Sequence, residues 1–217
     1  TRGHYSSGWA PLIAIVAAIS MLWGNLAAIA QTSVRRLLAY SAIGHAGYML
    51  IALVVHSRQS LIALVYYVIT YALATVGAFG VLAALESEKV DSIADFRGLG
   101  KRAPGLAFCL LIFLLSLAGV PPLSGFFGKF YVFVSALDSA DHGLLWMVLL
   151  ALAMSVVSFY YYLKVLKQAY VFEPSAGAAT IAVPAITRIA VGATAALVVL
   201  LGCFPDLLLN RIATALR

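Results

Sequence analysis

The chain has 217 residues, 64% of them hydrophobic and only 10% charged, with a mean hydropathy of +1.03. A soluble domain carries roughly 25% charged residues, so a water-soluble globular class is excluded. The net charge of +6 and pI near 9.4 would fit a nucleic-acid partner, but no basic stripe is interleaved with aromatics; basic residues gathered in the loops of a membrane protein account for the balance, and no nucleic acid is expected.

Six apolar segments follow one another, most of them above the ~20 residues that cross a ~30 Å hydrocarbon layer. The first is expected from Gly8 to Gln31 and the second from Arg35 to His56. So short a connection predicts a tight helical hairpin. The third runs from Ser60 to Leu85, and the strongly charged stretch Glu86 to Ala103 follows it. The fourth, Pro104 to Leu137, is too long for one straight span: at ~1.5 Å per residue it would measure about 51 Å. Gly119, Pro121, Pro122 and Gly125 lie in its middle. Each proline removes a backbone donor and clashes with the preceding turn, so the helix is expected to open between 119 and 125. Open backbone at membrane depth is tolerated only under cover of protein or water, and discontinuous helices mark ion paths in transporters. The fifth segment is expected from Gly143 to Phe172 and the sixth from Ala185 to Phe204, with Pro205 as its stop. The expected fold class is therefore an all-α polytopic membrane protein of six transmembrane helices, one of them broken.

Alternating sides put Arg35, Arg36, Lys89, Arg97, Lys101, Arg102, Lys164, Lys167 and Arg188 together, and Arg2, Arg58, Arg211 and Arg217 opposite. The positive-inside rule assigns the richer side to the cytoplasm, so both chain ends are expected on the periplasmic side. The first residue is Thr, and the first apolar run is too long for a signal peptide and lacks a small-residue cleavage site. The chain is expected to be a piece of a longer protein. Cys109 and Cys203 lie in separate apolar runs without metal-ligand neighbours, so neither a disulfide nor a metal site is expected.

Lys129 is the one charge inside the fourth segment. An ammonium at membrane depth costs at least ~2.5–3.5 kcal/mol by insertion scales. Burial disfavours the charged form of an amine, so a buried lysine can exchange its proton in step with a neighbouring charge. The amides opening the second half-helix carry partial positive charge and are expected to disfavour the ammonium further. The alternative is a snorkelling side chain, against which its place beside the break argues. His45, in Ser-Ala-Ile-Gly-His-Ala-Gly-Tyr (41–48), falls near the bilayer centre. Imidazole takes and gives a proton near neutral pH, with Tyr40, Ser41 and Tyr48 as nearby partners; a hydrogen-bonded packing role is the alternative. Lys164 follows Phe-Tyr-Tyr-Tyr-Leu near the end of the fifth segment. It reads either as an interfacial anchor or as the cytoplasmic mouth of a proton path. Thr70, Tyr71, Thr75, Ser155 and Ser158 can line water or bond between helices. No Asp or Glu lies within a segment. Phosphate loops, dinucleotide fingerprints, metal-ligand clusters and nucleophile elbows do not occur, and no cofactor is expected in this chain.

Three stretches, in order, resemble one family. Gly-Asn-Leu-Ala-Ala-Ile-Ala-Gln-Thr-Ser-Val-Arg-Arg-Leu-Leu-Ala-Tyr-Ser-Ala-Ile-Gly-His-Ala-Gly-Tyr (24–48) and Leu-Ser-Leu-Ala-Gly-Val-Pro-Pro-Leu-Ser-Gly-Phe-Phe-Gly-Lys-Phe-Tyr (115–131) are similar to the antiporter-like membrane subunits of respiratory complex I, the NADH:quinone oxidoreductase. Ser-Val-Val-Ser-Phe-Tyr-Tyr-Tyr-Leu-Lys (155–164) resembles the N type among them. The resemblance implies a proton-translocating subunit of two inverted five-helix repeats. This chain would be the second repeat (8–172), a linker (173–184) and a final helix with its tail (185–217); the first repeat, with its glutamate and paired lysine, would be absent. Lys129 falls on the family's broken-helix lysine and His45 on its relay histidine. Other membrane subunits of complex I and the lipid bilayer are the implied partners, with NADH and quinone handled by other subunits. A sodium/proton antiporter or membrane-bound hydrogenase subunit is the related alternative.

Overall fold

A computed structural model describes residues 8–86, 90–138, 144–174 and 180–216. The expected helix start at Gly143, the basic residues Arg2, Lys89 and Arg217, and part of the 173–184 linker lie outside the described residues. Nine α-helices are described: α1 Ala10–Ile29, α2 Val34–Val55, α3 Arg58–Ala84, α4 Leu99–Arg102, α5 Pro104–Ala118, α6 Ser124–Leu137, α7 Leu145–Tyr170, α8 Ala185–Cys203 and α9 Asp206–Ala215. Five of them, α1, α2, α3, α7 and α8, are long and apolar enough to cross a membrane. At ~1.5 Å per residue their 19 to 27 residues reach about 29 to 40 Å. Helices α5 and α6, of 15 and 14 residues, are the two halves of the broken fourth segment, and neither is long enough to cross alone. The chain is an integral membrane protein.

The helix ends follow local chemistry. Pro11 and Pro104 occupy first-turn positions of α1 and α5, where a missing N–H costs nothing. Ser33 accepts from the Arg36 amide to cap α2. Ser57 and Ser60 form a reciprocal capping box at α3. Helix α5 ends on Gly119 at φ +88°, a left-handed cap that favours glycine.

Hydrogen bonds tie the loops of one face together. Val34 N donates to Asp91 O, Ile93 N to Thr32 O, Gly98 N to Gln168 O and Ile181 N to Arg102 O. From Val90 onward the charged stretch is structured: a short 3-10 turn at Ile93–Phe96 and helix α4 pack under α7. At the opposite face Arg58 donates to Ala213 O at 3.0 Å, holding α9 across the end of α3. Helix α9 was expected only as a tail. Its signal was present: Pro205 and Asp206 open a first turn, and Leu208 and Ile212 share one face.

The bundle presents large apolar side chains outward as well as inward, unlike a soluble protein. Five tyrosines, Tyr48, Tyr66, Tyr67, Tyr161 and Tyr162, head its largest fully buried side chains, while Trp23, Val76, Val156 and Ile186 are exposed. Lipid is as apolar as leucine, so burial of hydrocarbon does not drive association; close packing and interhelical hydrogen bonds do. Helices α1 and α2 illustrate the first. A Cβ on Gly24 would run into the Gly44 amide and the Tyr40 carbonyl, and one on Gly47 into Met21 and the Ala17 carbonyl. Gly24→Val is therefore expected to force α1 off α2, at an overpacking cost of ~1–3 kcal/mol or more. Recovery of the assembled parent subunit on native gels checks this; full recovery would mean the pair can spread without loss.

Candidate functional site

Lys129 lies one turn into α6, after Gly125 and Gly128, and is 4% exposed. Helical side chains tilt toward the helix N-terminus, so Lys129 reaches back across the break. Its Nζ donates to Leu117 O and Ala118 O, both at 3.1 Å, two carbonyls left free where α5 ends. The remaining face of the amine looks over the Tyr48 ring, 5.0 Å from its centroid, an attractive arrangement for a cation. This corrects the expected surroundings. The amine meets the negative, carbonyl end of α5 and not the amides opening α6. Gly119 permits the approach: a Cβ there would sit 3.2 Å from Lys129 Cδ.

The break itself is tightly covered. Gly125 N donates to Ser116 Oγ at 3.1 Å, and a Cβ on Gly202 of α8 would collide with the Pro122 carbonyl and the backbone of Leu123 and Ser124. Helix α8 thus lies directly on the opened turn. Ser124 Oγ at the start of α6 is buried without a hydrogen-bond partner, as are Thr75 Oγ1 and Ser155 Oγ. Buried hydroxyls usually find a partner or ordered water.

His45 projects from the middle of α2 and is 2% exposed. Its Nδ1 is 2.8 Å from the Tyr67 hydroxyl, and its Nε2 is 3.5 Å from the Tyr162 hydroxyl, the outer edge of a hydrogen bond. Ser41, one turn earlier, shares a short hydrogen bond with Tyr162. The Tyr71 ring packs on the imidazole with centroids 4.7 Å apart. A second set of bonds starts at Asn25 on α1. Asn25 Nδ2 donates to Met21 O at 2.7 Å and to the Tyr48 hydroxyl at 3.2 Å, and Tyr161 donates to Asn25 Oδ1 at 3.1 Å. Tyr48 also faces the His45 ring edge-on at 5.8 Å. His45 and Lys129 therefore belong to one buried polar cluster, with Tyr48 between them. Such a cluster can move protons; among the described residues no group of three or more His, Cys, Asp or Glu could hold a metal, and Cys109 and Cys203 are free.

Lys164 is not part of this cluster. It is exposed on the outer face of α7, two residues and about 200° around the helix from Tyr162. With Lys167 it borders an apolar groove of about 690 Å³ lined by Leu111, Leu115, Leu163 and Tyr170. Four residues of the cluster were not anticipated: Asn25, Tyr67, Tyr161 and Tyr162. The last two read as part of an interfacial aromatic belt. Yet Ser158, Tyr161, Tyr162 and Val165 recur at helical spacing on the buried face of α7, and Tyr67 sits nine residues inside α3, far from either interface.

This is a polytopic helical membrane protein built around a discontinuous helix with a buried lysine. The family model described as "NADH:quinone oxidoreductase/Mrp antiporter, TM" matches residues 2–158, and the chain belongs to this family. It is 59% identical to NADH-quinone oxidoreductase subunit N 2 of Acidobacterium capsulatum, over 95% of this chain and 42% of that protein. Among solved structures, a chain of respiratory complex I from Thermus thermophilus superimposes with a TM-score of 0.79 at 38% identity, over 92% of this chain and 45% of the other. A chain of the archaeal membrane-bound sulfane sulfur reductase gives 0.86 at 27% identity, over 97% and 43%. The chain thus spans less than half the length of the relatives it matches.

Proposed function

We propose that this chain is the lysine-bearing, second-repeat portion of an N-type membrane subunit of NADH:quinone oxidoreductase, and that it carries protons through Lys129 and His45. The observation that carries this reading is Lys129 itself. It is a buried amine at a helix break, held by two freed carbonyls and joined through Tyr48 to a histidine bonded on both sides. In this reading the subunit has no redox role of its own. NADH and quinone react on other subunits, other membrane subunits of the complex and the bilayer are its partners, and no cofactor is bound here. The membrane is the bacterial inner membrane. The basic residues of the Ser33–Ser92 face lie in the cytoplasm, and both ends of this chain face the periplasm. Lys164, outside the cluster, serves as an anchor or as the cytoplasmic mouth.

A second reading rests on the family model, whose description covers the Mrp antiporter as well as the oxidoreductase: a subunit of a sodium/proton antiporter or membrane-bound hydrogenase complex. Curated relatives named subunit N, from Acidobacterium capsulatum, Herpetosiphon aurantiacus and Nitrosomonas europaea, favour the first. Co-purification with redox subunits and quinone-reductase activity separates the two.

His45→Ala is expected to slow proton-coupled turnover while the complex still assembles, with His45→Gln restoring part of it by supporting a water chain. Proton uptake per NADH oxidised in proteoliposomes measures the effect; an alanine variant with normal rate and stoichiometry would leave His45 a packing residue. Orientation is tested separately. A cysteine introduced at the exposed Ala94 should resist membrane-impermeant labelling from outside intact cells, and ready labelling would reverse the assignment of sides.

A further inference from the structure

We propose that the hydroxyls of Tyr67 and Tyr162 hand protons onto and off His45, so that Tyr162, His45 and Tyr67 form a three-membered wire across α7, α2 and α3. The proposal rests on the reading of this chain as a proton path and specifies its central link.

A neutral imidazole has one N–H and one lone pair. Each nitrogen of His45 faces a tyrosine hydroxyl. One tyrosine must then receive a hydrogen bond from the ring while the other supplies one. All three residues are at most 2% exposed, and the imidazole is enclosed by the rings of Tyr48, Tyr67 and Tyr71. Bulk water does not reach either nitrogen, which leaves the two hydroxyls as its exchange partners. On one side the wire continues in the structure, where Tyr162 is bonded to Ser41. On the other, the base of the Tyr67 ring packs on Gly128, the residue before Lys129, which sets Tyr67 between His45 and the helix that carries the lysine.

The transfer balances. Tyr162 passes its hydroxyl proton to Nε2 as it takes one from Ser41 Oγ, which is re-protonated by a water molecule on its outer side. Nδ1 passes its own proton to the Tyr67 oxygen, whose hydroxyl proton leaves to a second water molecule on the Lys129 side. Every oxygen gains one proton and loses one, and His45 ends as the opposite tautomer with no net charge left behind. Running the same steps backward moves a proton the other way.

Tyr67→Phe and Tyr162→Phe keep ring shape and remove only the exchangeable proton. Each is to be made in the full-length parent subunit within its assembled complex, reconstituted in proteoliposomes beside Lys129→Ala. Proton uptake is followed in H2O and D2O. Each phenylalanine variant is expected to lower proton-coupled turnover at least about tenfold, below the ~100-fold typical of losing a positioned acid–base group because water can enter in part. The residual rate is expected to show a changed solvent isotope effect, which a packing role would not produce. Should one variant fail to assemble, the other decides. If Lys129→Ala stops pumping while both phenylalanine variants pump at the native rate, the tyrosine wire is wrong and the proton path stands. If Lys129→Ala pumps normally, the path and the wire fall together.

Discussion

Lys129→Ala is expected to lower proton-coupled turnover by about 100-fold or more, the scale on which removal of a positioned proton carrier acts. The loss should exceed that of any other single change in the cluster, because no acid or second amine of this chain lies at the same depth to take over. Lys129→Arg should fail as well. Guanidinium keeps its charge and can still donate to Leu117 O and Ala118 O, but it does not release its proton. The pair of variants separates two roles. A carrier fails in both; a fixed cation that merely caps α5 fails in alanine alone, where two buried carbonyls each lose a partner at ~1–3 kcal/mol. Proton uptake and NADH oxidation are measured together on the same proteoliposomes, with assembly checked on native gels. An arginine variant that pumps normally would reduce Lys129 to a structural cation.

Gly125→Ala is expected to cost nearly as much activity by another route. The added Cβ would fall on the Ser116 carbonyl, backbone against backbone, so no side-chain rotation relieves it. The two half-helices must part, at ~1–3 kcal/mol or more, and the carbonyls of Leu117 and Ala118 move with the end of α5 away from Lys129. Ser116→Ala is the control. It removes only the hydroxyl bond to the Gly125 amide, worth about 1 kcal/mol, and should leave most activity in place. Thermal unfolding and proton uptake of both variants are the readouts. Native-like behaviour of Gly125→Ala on both would show that the contact between the halves yields freely.

The sequence made the broken helix and its lysine legible because neither has a bland place in an apolar run. Two consecutive prolines cannot stay in a helix, and an ammonium cannot sit in hydrocarbon unsupported. Which helix end supports it was also within reach, since the tilt of helical side chains sends Lys129 backward to α5; dipole reasoning applied without that geometry chose the wrong end. The tyrosines were harder. A run such as Phe159–Tyr162 satisfies the composition of an interfacial belt, and only its phase against Ser158 and Val165 shows that two of the rings turn inward. Asn25 carries no marker of its own in the sequence; its role depends on Tyr48 and Tyr161, 23 and 136 positions away. Contacts at that separation have no periodic trace. Lys164 shows the converse, a residue whose type suggested the path and whose phase on α7 faces it outward.

The carbonyl clamp on Lys129 bears on timing. An ammonium has three N–H bonds and a neutral amine has two. Two are engaged by Leu117 O and Ala118 O, so both protonation states can satisfy the same pair of acceptors. Only the third position differs, holding either a hydrogen or a lone pair. Losing or regaining the proton therefore requires no swing of the side chain and no rebuilding of the break. On the proton-carrier reading, the nitrogen can stay at one address throughout the cycle, and any gate would lie in the groups that deliver to it.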